Sequence, residues 1–193
     1  MKKIAVLFFC LLFTHCASDS SIDTLSKNEN NELAKFQNFN NTNKLIITDN
    51  SEPGEELLLC LTFIDKASKK TLSNQRISFY HTSTEGDYEP SVPNDETTAR
   101  LNGTTVTNRS GEVYVKTILP GDYGNSKNNR HIHTTVYDAA PVAYDIFFKQ
   151  YSGGMGSLMN SGNDQIFYAD LKKTANNKLV CFLTIEVKNP QLN

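Results

Sequence analysis

Two of the four histidines in this chain, His131 and His133, stand one residue apart in the run His131-Ile132-His133. On a strand, side chains two positions apart share a face, so the pair aims both imidazoles the same way. Tyr123 lies just upstream, closing the turn Pro120-Gly121-Asp122-Tyr123, and Tyr88 follows the turn Glu85-Gly86-Asp87. Two phenols brought in on turns and two imidazoles on one strand face make a four-donor metal shell. Oxygen donors and imidazole suit a hard, highly charged cation. A free phenol is neutral at physiological pH, and gives up its proton when a metal's charge inverts the local balance.

Positioning such a shell requires a frame of strands, and the sequence supplies one. Residues 57–65 form a strongly apolar strand, and 75–81 return as a second with alternation at Ile77 and Phe79. Shorter strands are expected at 104–107, 113–118 and 131–137, each with Gly or Pro punctuation, and two more at 144–148 and 179–187. Residues 151–163 are Gly- and Ser-rich and read as a long loop. Residues 164–172 are compatible with a strand or a helical turn. With no convincing amphipathic helix and no internal repeat, the fold class is all-β: one antiparallel β-sandwich domain.

The remainder of the chain bounds where that domain works. At 193 residues it can bury one good core. A net charge of −2 gives no reason to expect nucleic acid as a partner. Residues 1–16 read as a lipoprotein-type export signal. Met1-Lys2-Lys3 is basic, residues 4–13 are an apolar run too short to span a bilayer, and Cys16 is the candidate for lipidation. An acylated Cys16 would anchor the protein to a membrane of a bacterial cell envelope without spanning it; without acylation the chain would be periplasmic or secreted. Residues 17–51 are Asn- and Ser-rich and read as a flexible tether, with 44–47 able to add an edge strand, and 52–193 form the domain. Cys60 and Cys181 lie in apolar strand-like runs and are expected as buried core thiols instead of a bridge. His81 is expected as a polar strand-end residue, not a fifth ligand.

The combination of Thr117-Ile118-Leu119-Pro120-Gly121-Asp122-Tyr123 with His131-Ile132-His133 resembles the intradiol ring-cleavage dioxygenases. Glu85-Gly86-Asp87-Tyr88 is similar to that family's segment carrying its first tyrosinate, and the likeness runs over roughly residues 54–148. The resemblance implies a β-sandwich holding non-haem Fe(3+), with Tyr88 and His131 as equatorial ligands and Tyr123 and His133 as axial ones. It further implies that Tyr123 is released as substrate chelates and accepts a substrate proton. The substrates implied are a small aromatic diol and O2, and the product a muconate-type diacid. The chain departs from the pattern where the family carries an arginine three residues before its first histidine. Asn128 holds that place, and Arg130, directly before His131, is the catalytic candidate, although an adjacent strand position faces the other way. A glutamine common on the family's next strand has no match near Asp145. These departures favour the alternative, a non-catalytic exported β-sandwich lipoprotein that binds a ligand or partner on the same scaffold.

Overall fold

The computed structural model describes residues 22–124, 127–153 and 161–191. The export segment with Cys16, and most of the Gly-rich 151–163 stretch, lie outside them. In chain order the elements are α1 (Lys27–Gln37), β1 (Lys44–Ile46), β2 (Glu56–Asp65), β3 (Arg76–His81), β4 (Leu101–Val106), β5 (Glu112–Ile118), β6 (His131–Val136), β7 (Ala143–Phe148), β8 (Ile166–Ala169), β9 (Lys172–Lys173) and β10 (Leu179–Val187). A short 3-10 turn, Glu96–Thr98, sits in the long connection between β3 and β4.

Two five-stranded sheets face each other, ordered β1-β5-β2-β10-β9 and β4-β3-β6-β7-β8. Alternation builds the core between them: Leu57, Leu59, Leu61 and Phe63 of β2 meet Ile77 and Phe79 of β3, Ile132 of β6 and Ile146 and Phe148 of β7. Each such side chain contributes roughly 1.5–3 kcal/mol on burial. The sandwich is therefore as expected, but both sheets are mixed. β1 pairs with β5, β10 with β2 and β8 with β7 in parallel. Residues 164–172, compatible with either state, contain β8 and the start of β9.

Strand β2 is buried on both faces. Leu58 and Cys60 point away from the sandwich core, into a second cluster with Tyr114, Val180 and the α1 residues Leu33 and Phe36. Helix α1 therefore lies within the stretch expected to be a tether. Ser26 and Glu29 cap it reciprocally, and Glu29 pairs with Lys172 across to β9. Thr24 bridges Lys173, and β1 adds the expected edge strand to β5. Cys60 and Cys181 are free and buried, as expected; they sit on neighbouring strands one register apart and so face opposite sides of the sheet. Among the described residues, no helix is long and apolar enough to cross a membrane.

Candidate metal centre

On β6, Ile132 and Thr134 turn into the core, which leaves His131 and His133 side by side on the outer face. The neighbouring strands grip each ring. Tyr80, opposite His133 on β3, stacks on its imidazole at 4.5 Å between centroids, and Phe147, opposite His131 on β7, stacks on the other at 4.8 Å. Asp145 on β7 takes a hydrogen bond from His133 Nδ1 at 2.7 Å, and the Asn129 carbonyl takes one from His131 Nδ1 at 2.5 Å. A carbonyl and a carboxylate can only accept from these nitrogens, so the Nδ1 positions carry the protons and both Nε2 atoms present lone pairs.

Those two Nε2 atoms face each other at 3.1 Å, and the Tyr88 hydroxyl lies 2.8 Å from that of His133. One phenolic proton cannot satisfy both nitrogens. The three donors converge on one point, and donors about 2.1 Å from a shared ion at right angles lie about 3 Å apart. The donor set therefore fits a metal. Among the described residues there is no group of three or more His, Cys, Asp or Glu side chains that could hold one, so an ion here depends on tyrosine oxygen. Burial, and the acidic groups Glu96 and Asp145 nearby, push the Tyr88 hydroxyl well above the ordinary phenol range. Burial also lowers the His131 imidazole, which keeps it neutral and available as a ligand.

Two loops bring the tyrosines together, and each needs a glycine to do so. Gly121 N–H donates to the Ser83 carbonyl at 2.8 Å, and Thr82 Oγ1 donates to the Gly121 carbonyl at 3.1 Å. Gly86, at φ +88°, packs directly on the Asp122 carbonyl. Tyr88 and Tyr123 consequently sit with ring centroids 5.2 Å apart. Tyr88 is buried, but Tyr123 is 43% exposed, and its hydroxyl donates to Glu96 Oε1 at 2.8 Å instead of joining the three other donors. That hydrogen bond holds the Tyr123 phenol above its usual range. Beside the two rings is an open groove of about 450 Å³, bordered by Asp87, Glu89, Pro90, Asn94 and Glu96.

Three of the four expected ligands thus converge, and the fourth stands adjacent with its hydroxyl turned away. Arg130 does not approach them. Its guanidinium lies 4.5 Å over the Tyr151 ring, and its Nε is 3.9 Å from Asp122 Oδ1. The cause is strand parity: Arg130 shares the phase of core-facing Ile132, opposite to that of His131. Glu96, Asn129, Asp145 and the stacking rings Tyr80 and Phe147 were not legible as site residues. Asp145 and Phe147 had a signal in retrospect, since they occupy alternate positions of the strand that follows the histidine pair.

His81 is fully buried at the end of β3. Its Nδ1 donates to the Thr82 carbonyl at 2.8 Å, and Nε2 meets Thr117 Oγ1 at 2.6 Å. Burial lowers its pKa from 6.5 to about 4. Between those values the unfolded chain binds a proton that the folded one refuses, so stability is full above about pH 6.5 and falls as pH drops toward 4. The loss from pH 7.5 to 4.5 should be about 2–3 kcal/mol, read by urea unfolding. A His81→Gln protein showing the same pH slope as the parent would exclude this residue as its source.

A family model described as Dioxygenase matches residues 32–192. No curated protein matches the chain. Among solved structures, the dioxygenase domain of a dioxygenase carbohydrate-binding protein fusion from Streptomyces sp. SirexAA-E is 18% identical, with 78% of this chain and 92% of that one covered and a TM-score of 0.57. An intradiol ring-cleavage dioxygenase from Tetranychus urticae is 20% identical over 79% of this chain and 90% of that one, with a TM-score of 0.55. The 3-chlorocatechol 1,2-dioxygenase of Rhodococcus opacus is 14% identical, with a TM-score of 0.58; 78% of this chain covers 66% of that one. At such identities the likeness establishes the sandwich fold.

Proposed function

The chain belongs to the intradiol ring-cleavage dioxygenase family, and from that premise we propose that it is a non-haem iron(III) enzyme opening a catechol-type ring with O2 to give a muconate-type diacid. The bond between the two hydroxyl-bearing carbons breaks, and one atom of O2 enters each new carboxyl group. The observation that carries the reading is the pair of facing Nε2 lone pairs of His131 and His133, with the Tyr88 hydroxyl beside them. Tyr88, His131 and His133 would hold the ion, with Tyr123 as the fourth, exchangeable ligand. Bound iron(III) would supply Lewis acidity, stabilising phenolates at neutral pH.

The remaining roles fall to side chains of this chain. Asp145 and the Asn129 carbonyl fix the tautomers and so keep both Nε2 atoms free of protons. Tyr80 and Phe147 hold the imidazole planes by stacking. Tyr123 Oη would take a proton from a catechol hydroxyl and then rest against Glu96 Oε1, the partner it has here. The aromatic diol would enter by the groove along Tyr88 and Tyr123. Arg130 serves as a positioning residue, through Tyr151 and Asp122, for the segment that leads into His131. The exported, lipid-anchored location through Cys16 belongs to the same proposal and rests on the sequence of residues 1–16.

The test is the visible spectrum and metal content of the iron-loaded protein before and after adding catechol. A phenolate-to-iron charge-transfer band that shifts with catechol, accompanied by O2 uptake, is the expected result. A colourless protein after ferric loading would sink the reading. The hydroxyl of Tyr123 turned onto Glu96 favours the second reading, a binding module on the same scaffold. Tyr123→Phe separates the two, since the enzyme should lose rate and the Tyr123 part of its charge-transfer band while a binding module keeps its ligand. Asp145→Asn should weaken iron binding by about 10–100-fold, because His133 loses the partner that orients it. An unchanged affinity in a competitive chelator titration would remove Asp145 from the account.

A further inference from the structure

The outer face of the second sheet continues beyond the histidines. Tyr80, whose ring stacks on His133, also borders a separate cavity of about 190 Å³. Its other polar walls are Ser78 of β3, Thr97 of the 3-10 turn, Asn102 and Thr104 of β4, and Thr135 and Tyr137 at the end of β6. No charged side chain lines it. Ser78 Oγ lies 2.8 Å from Thr104 Oγ1 and 2.9 Å from Tyr137 Oη, so the hydroxyls are held in register. Arg76 covers the Tyr137 ring at 4.3 Å, which braces that wall.

Hydroxyl groups both donate and accept, and a wall built of them complements a ligand that does the same. A carboxylate or an ammonium would call for a charged partner, and the cavity offers none. The cavity is also within reach of the candidate metal centre. Ser78 is two residues from Tyr80 on the same strand face, about 6.6 Å away, roughly one ring and its linking atom. The 3-10 turn borders both places, with Glu96 against Tyr123 and Thr97 in the cavity.

We propose that this cavity is a subsite for a neutral polyhydroxylated substituent, a sugar or polyol, carried by the catechol-type ring that the adjoining site takes. The inference rests on the proposed function for the ring, but the subsite is measurable apart from turnover. The probes are 2-(3,4-dihydroxyphenyl)ethyl β-glucoside and its aglycone, with binding read by calorimetry and cleavage by O2 uptake on the iron-loaded full chain. The glucoside should bind about tenfold more tightly, the equivalent of about 1.4 kcal/mol. Ser78→Ala and Thr104→Val should each erase most of that advantage and leave aglycone binding unchanged. The near-isosteric Thr104→Val carries the test if Ser78→Ala fails to fold. Equal affinity for the two probes in the parent protein, or equal losses for both in the variants, overturns the subsite. Preferential glucoside binding that depends on Thr104, without cleavage of either probe, upholds the subsite and overturns the catalytic reading instead. Cleavage of both probes with equal affinity does the reverse.

Discussion

His133→Ala should leave a folded protein that neither retains iron nor takes up O2 with catechol. The loss should exceed the ~100-fold that removing a ligand's supporting partner costs, since here the donor itself goes. Four contacts meet at this ring: Nε2 faces both His131 Nε2 and the Tyr88 hydroxyl, Nδ1 donates to Asp145, and the plane stacks on Tyr80. Truncation therefore removes one donor and releases the second, because the Tyr88 hydroxyl loses its hydrogen-bond partner. The fold should tolerate the change, since His133 lies on the outer face of β6 while Ile132 and Thr134 supply the core contacts. Metal analysis of the purified variant, together with its thermal unfolding, checks both halves. A His133→Ala protein that keeps one iron per chain and its charge-transfer band would exclude this histidine as a ligand.

Gly121→Ala should cost about 3 kcal/mol or more of stability and abolish the site at the same time. A Cβ at this position would sit against the Thr84 carbonyl and 2.6 Å from Gly86 N, and both obstacles are backbone. No rotamer change relieves such a contact, so one of the two loops must move. The hydrogen bond from Gly121 N–H to the Ser83 carbonyl would be the first to break. These loops deliver Tyr88 and Tyr123, so displacement by even an ångström separates the Tyr88 oxygen from His133 Nε2 and shifts the Tyr123 ring beside it. Chemical denaturation gives the stability loss, and the spectrum of the iron-loaded variant gives the site loss. Stability and colour both within error of the parent would mean that the loops adjust freely and that their close packing is not what sets the tyrosine positions.

The candidate metal donors were legible in the sequence because their spacing is local. His131 and His133 alternate on one strand, and each tyrosine follows or closes a turn, so residue type and period alone put the two imidazoles on one face and the two phenols on loops. The sandwich was legible for the same reason, through the period-two alternation of β3 and β10. The helix was missed because its Asn-rich sequence has few apolar residues, and only the capping pair Ser26 and Glu29 marks its start. A firmer signal lay elsewhere: residues 57–61 are apolar at every position, and a strand buried on both faces needs a cover on its outer side.

The sequence by itself determined the donor types, their order and the strand phase that sends Arg130 away from His131. Only the tertiary structure decided which donors meet. Asp145 reaches His133 because β7 pairs with β6 in a particular register, and Glu96 reaches Tyr123 across 27 residues of chain. Parallel pairing of β10 with β2, and of β8 with β7, likewise depends on which sheet edge each late strand finds. Strand period is a property of neighbours in the chain, whereas register and loop contact are set by how the whole core packs, and no local spacing encodes that.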